Sequence, residues 1–381
     1  MHKIVKDKNY WQAVAVMIGY IVGVGMFSLP FLIARSGWLV FLILFSVLGL
    51  VQYLVHLIYA SVIVANPGYN RLPGYVYKYL GYKGKWLAFF AKVFGNYGSI
   101  LAYLIISSIF LQELLSPVVN GSLFFYATAI FVFGAYVVYN GIKTISKVEL
   151  YMSILLFLVV GLMAYQGSVF MESANYEFFN WKNFLLPYGA MLVALDGIGS
   201  LPMVGRMVKK DARVFKSVIR SSMVLSSVIL LVFVFVVVGI SGASTTPDAL
   251  LGIKNVLSNS VISLVLLFGL LSMLTSLFGV SEAIKETLAW DFKINEKLSW
   301  FLAIIVPYLL YVLGVRDLIG VISFIGAVGG GVCITLLLLI FLKMKKQKIK
   351  LLMFTSVPSN TVIYSLMFMF FLGIVYTILG L

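Results

Sequence analysis

Gly23-Val24-Gly25-Met26-Phe27-Ser28-Leu29-Pro30 lies in the middle of the first long apolar run of the chain. A helix interior disfavours such a string: glycine costs about 1 kcal/mol and proline about 3 kcal/mol there relative to alanine. In a hydrocarbon layer the backbone groups freed by a break must find partners within the protein or with water. Helix-breaking residues at mid-membrane depth therefore point to a site.

The whole chain supports a membrane setting. It has 381 residues, 62% hydrophobic and 11% charged, with a mean hydropathy of +1.07. These values exclude a soluble globular domain and indicate a polytopic membrane protein. The single cysteine, Cys333, sits in an apolar run and excludes a disulfide framework. The two histidines and scattered acids offer no zinc spacing, and no nucleotide-binding loop or catalytic constellation occurs, so no enzyme and no cofactor is expected. The basic stretch from Met1 to Trp11 enters the first apolar run without a small-residue cleavage site, as for an uncleaved first span.

Eleven apolar spans are predicted, at 10–34, 38–66, 86–115, 122–140, 149–170, 183–206, 217–240, 259–281, 298–314, 317–342 and 360–380. Of the 28 basic residues, 23 precede span 1 or follow an even-numbered span. They include Lys3, Lys6, Lys8, Arg71, Lys85, Lys143, Lys147, Lys210 and Lys343. The other loops carry only Arg35, Lys182, Lys254 and Arg316, and Lys92 lies early in span 3. Basic loops face the cytoplasm, so the N-terminus is expected inside and the C-terminus outside the cell membrane. The net charge of +15 is thus topological, and nucleic acid is not an expected partner. Leu72 to Gly81 is aromatic and basic and suits an interfacial helix, while Val280 to Lys297 reads as a helix leaving the membrane with local ion pairs.

Span 6 holds a near copy of the opening stretch, Gly197-Ile198-Gly199-Ser200-Leu201-Pro202. Gly23 is about 13 residues into span 1 and Gly197 about 14 into span 6, which puts both roughly 20 Å deep. The two spans cross in opposite directions. Residues 10–170 (helices 1–5) and 183–342 (helices 6–10) then form two units of inverted topology, with 360–380 appended as helix 11 in one transmembrane domain, 1–381. Paired Gly/Pro interruptions in corresponding helices mark a transporter binding site.

Ile21 to Phe31, with Ala34-Arg35-Ser36-Gly37 after it, resembles the first-helix signature of the amino acid/auxin permease branch of the amino acid–polyamine–organocation (APC) superfamily. The lysine-rich stretch after span 6 and Ser281-Glu282-Ala283 are also similar to that branch. The resemblance implies an all-helical LeuT-type 5+5 inverted-repeat fold, helices 1 and 6 broken at the midplane, and secondary transport of amino acids. Spans 3, 4, 8 and 9 would then form the scaffold against which the broken helices move.

An amino acid presents a carboxylate and an ammonium. N–H groups opening a half-helix suit the carboxylate, and carbonyls closing one suit the ammonium. The carboxylate is assigned to the backbone around Gly23, Gly25, Met26 and Phe27, helped by Ser28, and the ammonium to carbonyls near Ala194, Leu195 and Gly197. Asp196 is the one acid near the bilayer centre and could serve the ammonium, a cation or a proton. Tyr103 in span 3, near Asn96, Tyr97 and Ser99, could cap the substrate. Glu113 reads as interfacial, His56 with Gln52 as an interhelical hydrogen bond or a proton relay, and Gly326, Gly329, Gly330 and Gly331 as close-packing positions or a gating bend.

Ser272, Thr275 and Ser276 share one face of span 8. The resemblance implies a Na⁺ site there, completed by carbonyls of Gly19 and Val22, as in sodium-coupled relatives. The lysine that replaces the ion in some proton-coupled relatives is missing from span 5, and Met26 stands where a second sodium site needs asparagine. The expectation is an importer of neutral amino acids working by alternating access with Na⁺. The alternatives are a proton-coupled permease and a non-transporting amino acid sensor of the germinant-receptor type. The expected partners are an amino acid, the coupling ion (Na⁺ or H⁺) and membrane lipid.

Overall fold

The computed structural model describes residues 8–68, 70–140, 145–254 and 256–379. Lys3, Lys6 and Lys143, and the side chains of Lys8 and Lys147, lie outside what is described. Fourteen α-helices follow in chain order. Span 1 is α1 (Lys8–Ile21) and α2 (Val24–Ser36), bent by 48° at the glycine break. Spans 2 to 5 are α3 (Trp38–Ala65), α4 (Leu72–Leu115), α5 (Leu123–Asn140) and α6 (Ile145–Gly167). Span 6 is broken into α7 (Tyr188–Ala194) and α8 (Leu201–Met207). Spans 7 to 9 are α9 (Ala212–Ser241), α10 (Asn259–Glu286) and α11 (Glu296–Val312). Span 10 is α12 (Leu318–Phe324) and α13 (Gly331–Lys346), joined by the π-helical turn Ile325–Gly330, and span 11 is α14 (Asn360–Leu379).

Among the described residues nine spans are long and apolar enough to cross a membrane, and α1 with α2 makes a tenth. The remaining expected span is α11, 17 residues long, at the lower end of the crossing range. Two boundaries differ from the sequence expectation. The interfacial stretch before span 3 is continuous with it as α4, kinked at Gly81 (φ 79°), a conformation open to glycine because it has no Cβ. The first residues of span 6 form a 3-10 turn at Trp181–Asn183 and further turns, so regular helix begins only at Tyr188.

Polar contacts tie the loops together in two groups. At one end Arg71 pairs with Glu286, Lys85 donates to the Asp291 carbonyl, and Lys210 donates to the carbonyls of Asn66 and Gly68. These contacts join the loops after spans 2, 6 and 8. At the other end Glu113 pairs with Lys254, and Asn183 donates to the Arg35 carbonyl.

The centre is held by small residues. A Cβ on Gly25 would lie 2.6 Å from the Ala194 backbone, so α2 presses directly on α7. On the other side of α7, a Cβ on Gly326 would lie 1.9 Å from the Gly189 carbonyl oxygen. Glycine here permits backbones to approach as closely as packing in lipid requires. The long α10 runs against α4, and the broken span 1 packs between α6, α7 and α9.

Gly25→Val places its side chain inside Ala194 and is expected to destabilise the protein by roughly 1–3 kcal/mol or more, as overpacking does. A lowered thermal midpoint in detergent checks this. Gly161→Ala, where nothing lies within 4 Å, should leave the midpoint unchanged or slightly raised.

Candidate functional site

The two broken spans meet at the centre of the fold, α2 against α7. At the first break, Val22 N donates to Ile18 O (2.7 Å), Gly23 N to Ile21 O (3.0 Å) and Met26 N to Gly23 O (3.1 Å). The tight turn takes up the Ile18 and Ile21 carbonyls. Those of Gly19 and Tyr20 belong to the last turn of α1, where the i→i+4 ladder has run out. The opening N–H groups of α2 face the same gap in the ladder.

The second break is held by side chains. Asp196 Oδ1 accepts from Ile198 N at 2.8 Å and caps the turn that restarts the span. From α3, His56 Nε2 accepts from Gly197 N at 2.9 Å, and Gln52 Nε2 donates to the Leu192 carbonyl at 3.3 Å. A ring nitrogen that accepts carries no proton, so His56 is neutral here with its proton on Nδ1. His56 and Gln52 are thus an interhelical brace for the break.

The sequence-derived candidates divide among three places. Gly25 and Ala194 form the contact between the broken spans, with Leu195 buried beside them. Gly23 faces the Tyr103 hydroxyl, 3.2 Å from where its Cβ would be, so Tyr103 stands at the first break. Met26 and Phe27 are buried, and the Phe27 ring meets Phe110 and Phe233 edge-on at 5.3 and 5.6 Å. The Ser28 hydroxyl donates to the Gly25 carbonyl at 2.9 Å. Gly197 is enclosed by His56, Met17 and Ile21.

Asp196 opens onto a cavity between α3, α4, α7 and the π-helical turn of span 10, shared with Gln52, Lys92, Asn96, Ser99 and Cys333. Its volume is about 70 Å³, room for several waters but not for a large side chain without rearrangement. Gly19, Thr275 and Ser276 line a second, smaller cavity with Tyr20 and Tyr103. Val22 and Ser272 do not line it, and the Ser272 carbonyl accepts from Thr275 Oγ1 at 3.0 Å. Thr275 keeps its oxygen lone pairs, so the cavity offers hard oxygen donors suited to a small cation.

Further polar groups gather towards the basic end. A third cavity adjoins the first and runs towards the basic end, lined by Arg71, Lys92, Asn96 and Thr287. Arg71 closes that end, with Nε and Nη2 on Glu286 Oε2 at 3.1 and 2.6 Å. Glu286 is 215 residues from Arg71, and no local pattern links the two. Beside them burial pushes the Asp291 carboxyl up to about 6, against the opposing pull of Lys85, Arg71 and Lys293. Glu113, expected to be interfacial, pairs with Lys254 at 2.8 Å.

Comparison with known proteins adds two findings. A family model described as the tryptophan/tyrosine permease family matches residues 6–379. The structure is similar to the crystal structure of MhsT in complex with L-phenylalanine, with a TM-score of 0.70 and 14% identity, covering 98% of each chain. That likeness establishes the LeuT-type fold. No curated protein matches the chain by sequence.

His56→Leu leaves the Gly197 N–H without an acceptor, a loss of roughly 1–3 kcal/mol for a buried donor. The midpoint of thermal unfolding should fall, and His56→Gln, which restores an acceptor oxygen, should recover part of the loss. For Asp291 the native carboxyl holds its proton more tightly than the unfolded chain does, with values of about 6 and 3.8. The native state is therefore favoured below pH ~4, and this advantage is lost as pH rises to ~6. The midpoint of the native protein minus that of Asp291→Asn should decrease across this window. A flat difference would contradict the assignment.

Proposed function

The chain belongs to the tryptophan/tyrosine permease family, and on that premise we propose that it imports neutral aromatic amino acids across the cell membrane by Na⁺-coupled alternating access. The observation that carries the proposal is the contact of the two broken helices at Gly25 and Ala194, with Asp196 beside it on a polar cavity. The family's name and the phenylalanine bound to MhsT support an aromatic substrate. The first-helix motif supports wider kinship with the amino acid/auxin permease branch. The basic loops support a cytoplasmic N-terminus and an external C-terminus.

In this proposal the substrate carboxylate takes the N–H groups that open α2, and its ammonium takes the carbonyls that close α7, with Asp196 adding charge. Tyr103 lies over the first break and caps the bound molecule. Na⁺ travels with it, held by Gly19, Thr275 and Ser276, which share one cavity. Val22 and Ser272, the other two proposed ligands, do not line that cavity. Alternating access parts Arg71 from Glu286 on the basic side and Glu113 from Lys254 on the other, in turn. The Glu113–Lys254 pair is the more exposed of the two and the easier to break.

Uptake of labelled L-tryptophan and L-tyrosine into proteoliposomes tests the proposal. Saturable accumulation driven by a Na⁺ gradient is expected, with Asp196→Asn reducing it at least tenfold. Full accumulation without sodium, abolished by collapsing the proton gradient, would make the protein a proton-coupled permease. Binding without flux would make it a sensor.

A further inference from the structure

Lys92 lies on the membrane-spanning part of α4, in a helix whose neighbours are mostly apolar. A charged side chain within a membrane helix is costly, and such residues face water or a partner. The ion pairs among the described residues are Arg71–Glu286, Lys254–Glu113 and Lys285–Glu282. Lys92 belongs to none of them.

Its surroundings account for its position. Lys92 and Asn96, one helical turn apart, line both the cavity that holds Asp196 and the adjoining one that reaches Arg71. They stand at the junction of a polar corridor from the second break to the Arg71–Glu286 bridge. At one end Asp196 commits Oδ1 to Ile198 N, leaving its other oxygen for a ligand. At the junction stand Lys92 and Asn96, whose ammonium and amide are able to donate. The walls between, Leu192, Val193, Ile325 and Ile334, are apolar. A molecule matching this layout has an ammonium, a carboxylate and an apolar side chain, and a large side chain enters only as the cavity of about 70 Å³ widens.

We infer that Lys92 and Asn96 form a second substrate subsite on the basic-loop side of the breaks, which takes the carboxylate of an α-amino acid while its ammonium stays on Asp196. The subsite rests on the transport reading above. It gives the substrate a way out. The carboxylate leaves the N–H groups of α2, which are pressed against α7, and is received by Lys92 before the Arg71–Glu286 bridge opens. No proton or covalent bond changes hands. The interaction is an exchange of hydrogen-bond and charge partners.

The test is sided transport in proteoliposomes of known orientation, with labelled L-tryptophan, or L-tyrosine if that is the better substrate of the native protein. Lys92→Gln should raise the KM for substrate supplied on the basic-loop side by tenfold or more beyond any change on the opposite side. Lys92→Arg, which keeps the charge, should restore most of it. Asn96→Asp, which sets a carboxylate against the substrate carboxylate, should act in the same direction as Lys92→Gln. Tryptamine, which lacks the carboxylate, should compete equally well against the native protein and Lys92→Gln. Equal KM changes on the two sides, or Lys92→Arg no better than Lys92→Gln, would overturn the subsite. Absence of any amino acid flux in the native protein would instead overturn the transport reading, so the two failures are separable.

Discussion

A peptide group without a partner costs several kcal/mol in hydrocarbon, and the centre of this protein is arranged around that cost. Two membrane spans are interrupted at similar depth, and each interruption frees carbonyls on one side and N–H groups on the other. Neither break is stable alone. The first is folded into a tight turn that uses the Ile18 and Ile21 carbonyls. The second is braced by Asp196 from its own span and by His56 and Gln52 from α3.

Holding such groups together demands backbones in contact, and glycine supplies the means. Gly25 meets Ala194 on one side of α7, and Gly326 meets Gly189 on the other. A side chain at either glycine would separate the half-helices and dissolve the site. These contacts lie in the most buried span of the protein, and the most extended helix packing elsewhere is that of α10 along α4. The π-helical turn Ile325–Gly330 lies against α7 and α4 and adds a point of compliance, since π-turns relax the helical ladder.

Charge is distributed to match. The loops at the basic end are tied by Arg71–Glu286 and by Lys85 and Lys210 on carbonyls, so basic loop residues also hold that end of the protein together. Inside, Asp196 and Lys92 stand on one polar corridor without a direct ion pair, an arrangement costly unless a ligand or water completes it.

The sequence by itself determined the all-helical membrane class, the positions of the spans, the alternation of basic loops and the pairing of the two interrupted helices. These are legible because they depend on composition and spacing along one chain: apolar length, Gly/Pro at depth, and lysine counts per loop. The side-chain partners were not legible in this way. The Ser28 hydroxyl donates to the Gly25 carbonyl, the Phe27 ring sits in an aromatic cluster, and Gly19, Thr275 and Ser276 line one cavity, none of which the sequence spells out. Lys92 looks like an early-span charge at the membrane edge, yet it lines the cavity of Asp196, more than a hundred positions away in the chain. Hydrophobic patterning is a local property and survives in the linear chain, while the meeting of one polar group with another depends on the three-dimensional packing of the inverted halves, and only the tertiary structure decided that.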